Sequence, residues 1–133
     1  MKVLIVNNIL REGPGILKDI LKENSINYCV HEFGKGDAIP SPKEYGAIFV
    51  FGGPESANDK SEKMLEELTC VKNFILNKVP YFGVCLGMQV MVKALGGVVK
   101  KAPVKEVGWR DPNNEIFKIN LTKAEEMIRS FKV

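Results

Sequence analysis

The sequence predicts an α/β fold of three layers, with a mostly parallel sheet between helices. Three observations carry this. Short apolar runs at Val3–Val6, Ile26–Phe33, Ala47–Phe51 and Val79–Val84 alternate with helical patterns. The first, third and fourth runs are continuous rather than alternating, as in parallel strands buried on both faces. The fourth passes directly into a helix through Gly83-Val84-Cys85-Leu86-Gly87. Such a βαβ alternation folds with right-handed crossovers. With 133 residues, 45% hydrophobic and 26% charged, the chain has the balance of one globular domain over 1–133. That balance excludes intrinsic disorder.

Taken in order, MKVLIVNN reads as a first strand rather than a signal peptide, with one lysine and then Asn7-Asn8. Pro14–Glu23 carries Ile16, Leu17, Ile20 and Leu21 at helical spacing, with Pro14 suited to a first turn. Ser41–Glu44 is long enough for one helical turn only. Lys60–Asn77 forms the longest helical pattern, with Met64, Leu65, Leu68, Val71, Phe74, Ile75 and Leu76 mostly on one side. Asp59 and Glu62 are spaced as a capping box at its start. Leu86–Leu95 forms the next helix, closed by Gly96-Gly97. Val98–Lys101 and Glu115–Leu121 are expected strands on either side of the polar Asp111–Asn114 turn. Thr122 with Glu125 predicts a last capped helix, Lys123–Arg129.

The chemistry sits at the fourth strand. Gly83-Val84-Cys85-Leu86-Gly87 is a strand-to-helix elbow of the G-x-nucleophile-x-G kind, with cysteine as the nucleophile. Flanking glycines remove side chains that would clash across so tight a turn. The thiol then lies at a helix N-terminus, whose partial positive charge suits a thiolate, and the Leu86 amide points where an oxyanion would form. A lone cysteine is more often a core residue, and Cys29 and Cys70 keep that reading. The second feature is Phe51-Gly52-Gly53-Pro54-Glu55-Ser56, a loop at the carboxyl end of the third strand, where parallel sheets build their sites. Alone it is a turn. Beside the elbow it is half of an oxyanion hole.

FGGPES, VPYFGVCLGMQVMVKALGG and KEVGW together resemble the class I glutamine amidotransferases, in their GMP-synthase-like and single-domain branch, over roughly residues 1–121. The resemblance implies a flavodoxin-like α/β/α domain that hydrolyses the side-chain amide of glutamine and supplies ammonia to a synthetase. It implies Cys85 as the nucleophile forming a γ-glutamyl thioester. The amides of Gly53 and Leu86 would hold the oxyanion, with Gly52, Gly53, Pro54 and Gln89 contacting substrate. Glu106 lies in the Glu-Val-Gly-Trp segment, and Trp109 is expected to pack.

The family's triad adds a histidine and a glutamate, in a His-x-Glu-like element some eighty or more residues beyond the cysteine. Here only 48 residues follow Cys85, and the chain's one histidine is His31. With strands ordered 2-1-3-4, His31 would lie three strands from the elbow, about 14 Å away. The chain is therefore expected to match the first two thirds of an amidotransferase domain, without its His/Glu part and without efficient turnover. An exposed sheet edge and consequent self-association are expected too. The alternatives are a catalytically dead amidotransferase-like binding module and a γ-glutamyl peptidase or hydrolase on the same fold.

The remaining features set partners and place. Nineteen Lys and Arg against sixteen Asp and Glu leave +3, spread along the chain, so no nucleic-acid footprint is expected. No run reaches the ~20 apolar residues of a membrane helix. Three cysteines, 41 and 15 residues apart, fit neither a CxxC metal pattern nor a disulfide framework; reduced thiols in a cytoplasmic protein fit best. No metal, nucleotide, flavin or other cofactor site is visible.

Overall fold

The computed structural model describes residues 2–9, 11, 13–103, 108–111, 113–116 and 118. The chain forms two compact units, 1–100 and 101–133. The first unit holds strands β1 (Lys2–Val6), β2 (Tyr28–His31), β3 (Tyr45–Val50) and β4 (Tyr81–Gly83). Its helices are α1 (Ile16–Glu23), α2 (Glu62–Leu76) and α3 (Leu86–Ala94), with a 3-10 turn at Pro42–Glu44. The four strands form one wholly parallel sheet in the order β2-β1-β3-β4, as the sequence predicts.

That order explains the layers. The chain steps outward from β1 to β2, then reverses across β1 to β3 and β4. Right-handed crossovers therefore place α1 on one face, with α2 and α3 on the other. Alternate residues of β1 divide between the faces. Leu4 and Val6 join Ile48, Val50, Met64, Cys70, Val71, Phe74, Leu86 and Val90 in the larger core, under α2 and α3. Val3 and Ile5 meet Leu21 in a smaller one under α1. On this second face Ala47, Phe49 and Phe51 pack against that cluster from β3 and the loop after it. Phe49 and Phe82 pack on each other there, ring centroids 5.6 Å apart, and Phe82 is 57% exposed.

The ends of elements correct several expectations. Pro14 lies outside α1, whose N-cap is Gly15 at φ 54. The second strand begins at Tyr28 because the Ile26 N–H donates back to the Leu21 carbonyl at 2.8 Å, closing α1. Ser61, not Asp59, caps α2, its hydroxyl accepting from the Met64 N–H. Asp59 is engaged elsewhere: its carboxylate accepts from the Ser56 N–H at 2.9 Å. On α2, Met64, Cys70, Val71 and Phe74 are buried as predicted, while Leu65 and Leu76 face outward. Gly96-Gly97 ends α3 as predicted, in a Schellman motif: Gly96, at φ 84, donates to the Lys93 carbonyl and Gly97 to that of Val92.

Val98–Lys101 is not a strand. Val98 is 73% exposed, and the Val99 carbonyl is taken by the Asn58 side chain at 2.9 Å instead of a neighbouring strand. In the second unit the polar turn forms as expected, with Asp111 Oδ1 accepting from the N–H groups of Asn113 and Glu115. An isolated antiparallel bridge joins Arg110 to Ile116, at the start of the expected Glu115–Leu121 strand. Trp109 does not pack; it is 88% exposed. Glu106, the last part of the Glu115–Leu121 strand and the Lys123–Arg129 helix lie outside the described residues.

Candidate functional site

The elbow has the geometry its glycines predict. Cys85 is the N-cap of α3 and sits at φ 54, ψ −112, a conformation that non-glycine residues rarely adopt. The turn leaves no space on either side. A Cβ at Gly87 would lie 2.2 Å from the Val50 carbonyl oxygen, and one at Gly83 would lie 2.7 Å from the Gly87 carbonyl carbon. Both distances are prohibitive. The Tyr81 hydroxyl donates to the Gly87 carbonyl at 2.7 Å, tying the first turn of α3 to β4. Burial pushes the Tyr81 phenol well above its usual range, so it keeps the proton it donates.

β3 and β4 are neighbours, so the loop after β3 meets the elbow as the sequence implies. A Cβ on Gly52 would lie 3.2 Å from Cys85 Cβ and 3.6 Å from its Sγ. Gly52 therefore lies against the thiol. Gly53 is seated deeper, where an added Cβ would lie 2.7 Å from Asn8 Cβ and 3.0 Å from Leu86 Cδ2. Leu86 is the first residue of α3, so the helix itself leaves its amide without an acceptor. Gln89 follows one turn later, on the side of α3 that Cys85 occupies. Pro54 is exposed at the loop's outer edge.

Cys85 is exposed, Cys29 half-buried and Cys70 buried, and all three are free thiols. Burial pushes the Cys70 thiol up to about 12, which makes it inert. The Cys85 side chain faces an open cleft of about 260 Å³, room for one small molecule. Three loops line it: Asn7, Ile9 and Gly13 after β1, Phe51 and Gly52 after β3, and Val84 with Cys85 at the elbow. Of the predicted site residues, Cys85 and Gly52 line this cleft; Gly53 and Leu86 follow them in the chain. Sequence reasoning misses the β1 loop. A signal for it exists, since β1 is central and its carboxyl end must open beside that of β3.

His31 is far from this cleft, as predicted. It pairs with Val6 on the edge strand β2 and packs edge-on to Phe33 at 4.5 Å, and burial lowers its pKa. Among the described residues no group of His, Cys, Asp and Glu could hold a metal ion, and no helix is long and apolar enough to cross a membrane.

Comparison with known proteins bears on the chain as a whole. A family model described as glutamine amidotransferase class-I matches residues 16–129. A solved structure of a glutamine amido transferase from Methylobacillus flagellatus superposes with a TM-score of 0.74 at 34% identity, covering 82% of this chain and 44% of that one. A glutamine amidotransferase from Thermotoga maritima gives 0.66 at 26% identity, over 71% of this chain and 43% of the other. A glutamine-hydrolysing GMP synthase subunit from Saccharolobus solfataricus is 30% identical over 89 residues, 67% of this chain and 42% of its own length. The GMP synthase of Tropheryma whipplei is 46% identical over 67 residues, 49% of this chain and 12% of its own. The chain thus spans less than half the length of each.

Proposed function

Because this chain belongs to the class I glutamine amidotransferase family, we propose that its cleft is the nucleophile half of a glutaminase site, with Cys85 as the attacking group. The observation that carries this is the Cys85 backbone, held at φ 54 between two glycines that admit no side chain, with the thiol exposed to a cleft. Backbone strain of this kind clusters at functional sites, where the surrounding structure holds it in place.

The chemistry follows from the groups present. The Cys85 thiolate adds to the side-chain carbonyl carbon of glutamine, and the carbonyl oxygen takes up the negative charge. The Gly53 and Leu86 N–H groups would receive that oxyanion, and donors placed for this purpose are worth ~10²–10³ each in rate. Gly52, Gly53, Pro54 and Gln89 would contact the substrate. When the tetrahedral species collapses, the C–N bond breaks, ammonia leaves and a γ-glutamyl thioester remains. Water then cleaves the thioester to glutamate and restores the thiol. Leaving ammonia needs a proton, and the thiol needs a base. His31, across the sheet, serves neither need. The resemblance to the Saccharolobus solfataricus GMP synthase chain extends the proposal to a synthetase that consumes the ammonia.

The placement of His31, the chain's one imidazole, on the far edge strand favours a second reading. This is a module of the same fold that binds glutamine or a partner without turnover. Both readings are tested on the 133-residue chain with the chloromethyl ketone analogue of glutamine, followed by intact-mass and peptide analysis. The first predicts one adduct, on Cys85, slowed by free glutamine, alongside glutamine hydrolysis near background. Adducts spread over Cys29 and Cys85, indifferent to glutamine, would contradict it. Glutamine binding without any adduct would favour the second.

A further inference from the structure

A buried polar pair lies against the glycine loop, and the proposed thioester chemistry does not use it. Asn8 follows β1 and Glu67 stands in the middle of α2; both are buried, Glu67 at 0% exposure. A carboxyl group so deep is costly unless it is well paired. Yet Glu67 Oε2 and Asn8 Oδ1 have no partner among the described residues, and Glu67 keeps a single hydrogen bond, at Oε1. Burial pushes the Glu67 carboxyl up from its usual range, against the opposing pull of Asn8 and Lys63, and Glu55 pushes it further up. An apolar residue would fill this place more cheaply. The group has another use.

That use is visible in Asn8. Its Nδ2 donates at 2.9 Å to Glu67 Oε1 and at 3.3 Å to the carbonyl of Phe51, the residue that opens the glycine loop. The Phe51 N–H in turn donates to the Val6 carbonyl at 3.2 Å. A peptide unit is planar and trans, so a Phe51 carbonyl held toward Asn8 sends the Gly52 N–H to the opposite side. Gly52 is the residue against the thiol, and Gly53 rests directly on Asn8 Cβ. An amide side chain has two faces, however. Turned over, Asn8 would present Oδ1 to the Phe51 carbonyl, acceptor against acceptor. Glu67 Oε1, itself an acceptor, holds the amino group on the required side.

We propose that Glu67 is a positioning residue: through the Asn8 amide it fixes the Phe51–Gly52 peptide plane, and with it the loop amides beside Cys85. This rests on the nucleophilic reading of Cys85. Only the acceptor at Oε1 is required, so glutamine can replace Glu67 where leucine cannot.

The test compares two alkylation rates at Cys85 in the full chain. Iodoacetamide needs only an accessible thiol. The chloromethyl ketone analogue of glutamine must also seat its carbonyl oxygen against the loop amides. Glu67→Leu and Asn8→Ala should lower the analogue rate about tenfold or more, a fraction of what removing an oxyanion donor costs. Their iodoacetamide rates should change less than about twofold, and Glu67→Gln should hold both rates near the parent values. Should Glu67→Leu not fold, Asn8→Ala against Glu67→Gln carries the same comparison. Equal losses with both reagents, no loss, or a Glu67→Gln variant as impaired as Asn8→Ala would overturn the positioning role while leaving Cys85 as the nucleophile. A parent chain in which the analogue leaves Cys85 unmodified would overturn both.

Discussion

The two faces of the sheet are built to different standards. Under α2 and α3 the core is continuous, and it includes Leu86 and Val90 of the helix that Cys85 caps. Under α1, among the described residues, Val3, Ile5 and Leu21 are the buried ones, and Phe82 stands exposed on that face. The topology dictates this inequality, since a single outward step from β1 to β2 supplies a single helix to that face. Every contact that shapes the elbow comes from the well-covered side or from the sheet itself: Val50, Tyr81, Leu86 and the loop that rests on Asn8. Precision of the candidate site and depth of packing coincide. The thin face contributes Phe51, which packs against the cluster under α1 and lines the cleft.

Breaking the elbow should have the largest effect. Gly87→Ala places a methyl group 2.2 Å from the Val50 carbonyl oxygen, and β4 or α3 must move to admit it. A loss of roughly 3 kcal/mol or more in urea unfolding is expected, with loss of selective labelling at Cys85. Next, Phe74→Ala in the deep core should cost about 3–5 kcal/mol, while Leu17→Ala on the thin face should cost well under half of that. Equal costs at the two positions would remove the contrast.

A smaller effect concerns pH. The folded-state pKa of Glu67 is raised, burial being the largest cause. Its contribution to stability is therefore fully present below the unfolded pKa of a glutamate and is lost as pH rises through the folded value. Stability of the parent chain should fall with rising pH across that window more steeply than that of Glu67→Gln, in thermal unfolding followed at several pH values. Parallel curves would contradict the buried carboxyl. The smallest effect is expected on the open face. Phe82→Thr should cost less than about 1 kcal/mol, because most of the ring is already in water, and it should reduce any self-association seen by light scattering.

The well-covered side is legible in the sequence and the remainder less so, for physical reasons. Continuous apolar runs, glycines at fixed offsets and a Gly-Gly stop are local signals, and β1, β3, β4, the elbow and the end of α3 follow from them. The Asn8–Glu67 bond joins residues 59 apart in the chain. No local pattern announces it, and Glu67 reads as one more charge on a charged helix. The cap of α2 is ambiguous in sequence because Asp59 and Ser61 are both capable acceptors, and only the Ser56–Asp59 turn decides between them. Val98–Lys101 has strand composition, but a strand needs a neighbour, and the Asn58 side chain takes the Val99 carbonyl instead.

In the proposed site the elbow and the glycine loop form one oxyanion-accepting half-site around Cys85. A crystal structure of the chain alkylated with the chloromethyl ketone analogue of glutamine tests it most directly. The expected structure has a thioether at Cys85 Sγ, with the ketone oxygen within about 2.7–3.1 Å of the Gly53 and Leu86 nitrogens. An adduct on Cys85 whose oxygen turns to solvent, away from both amides, would contradict it.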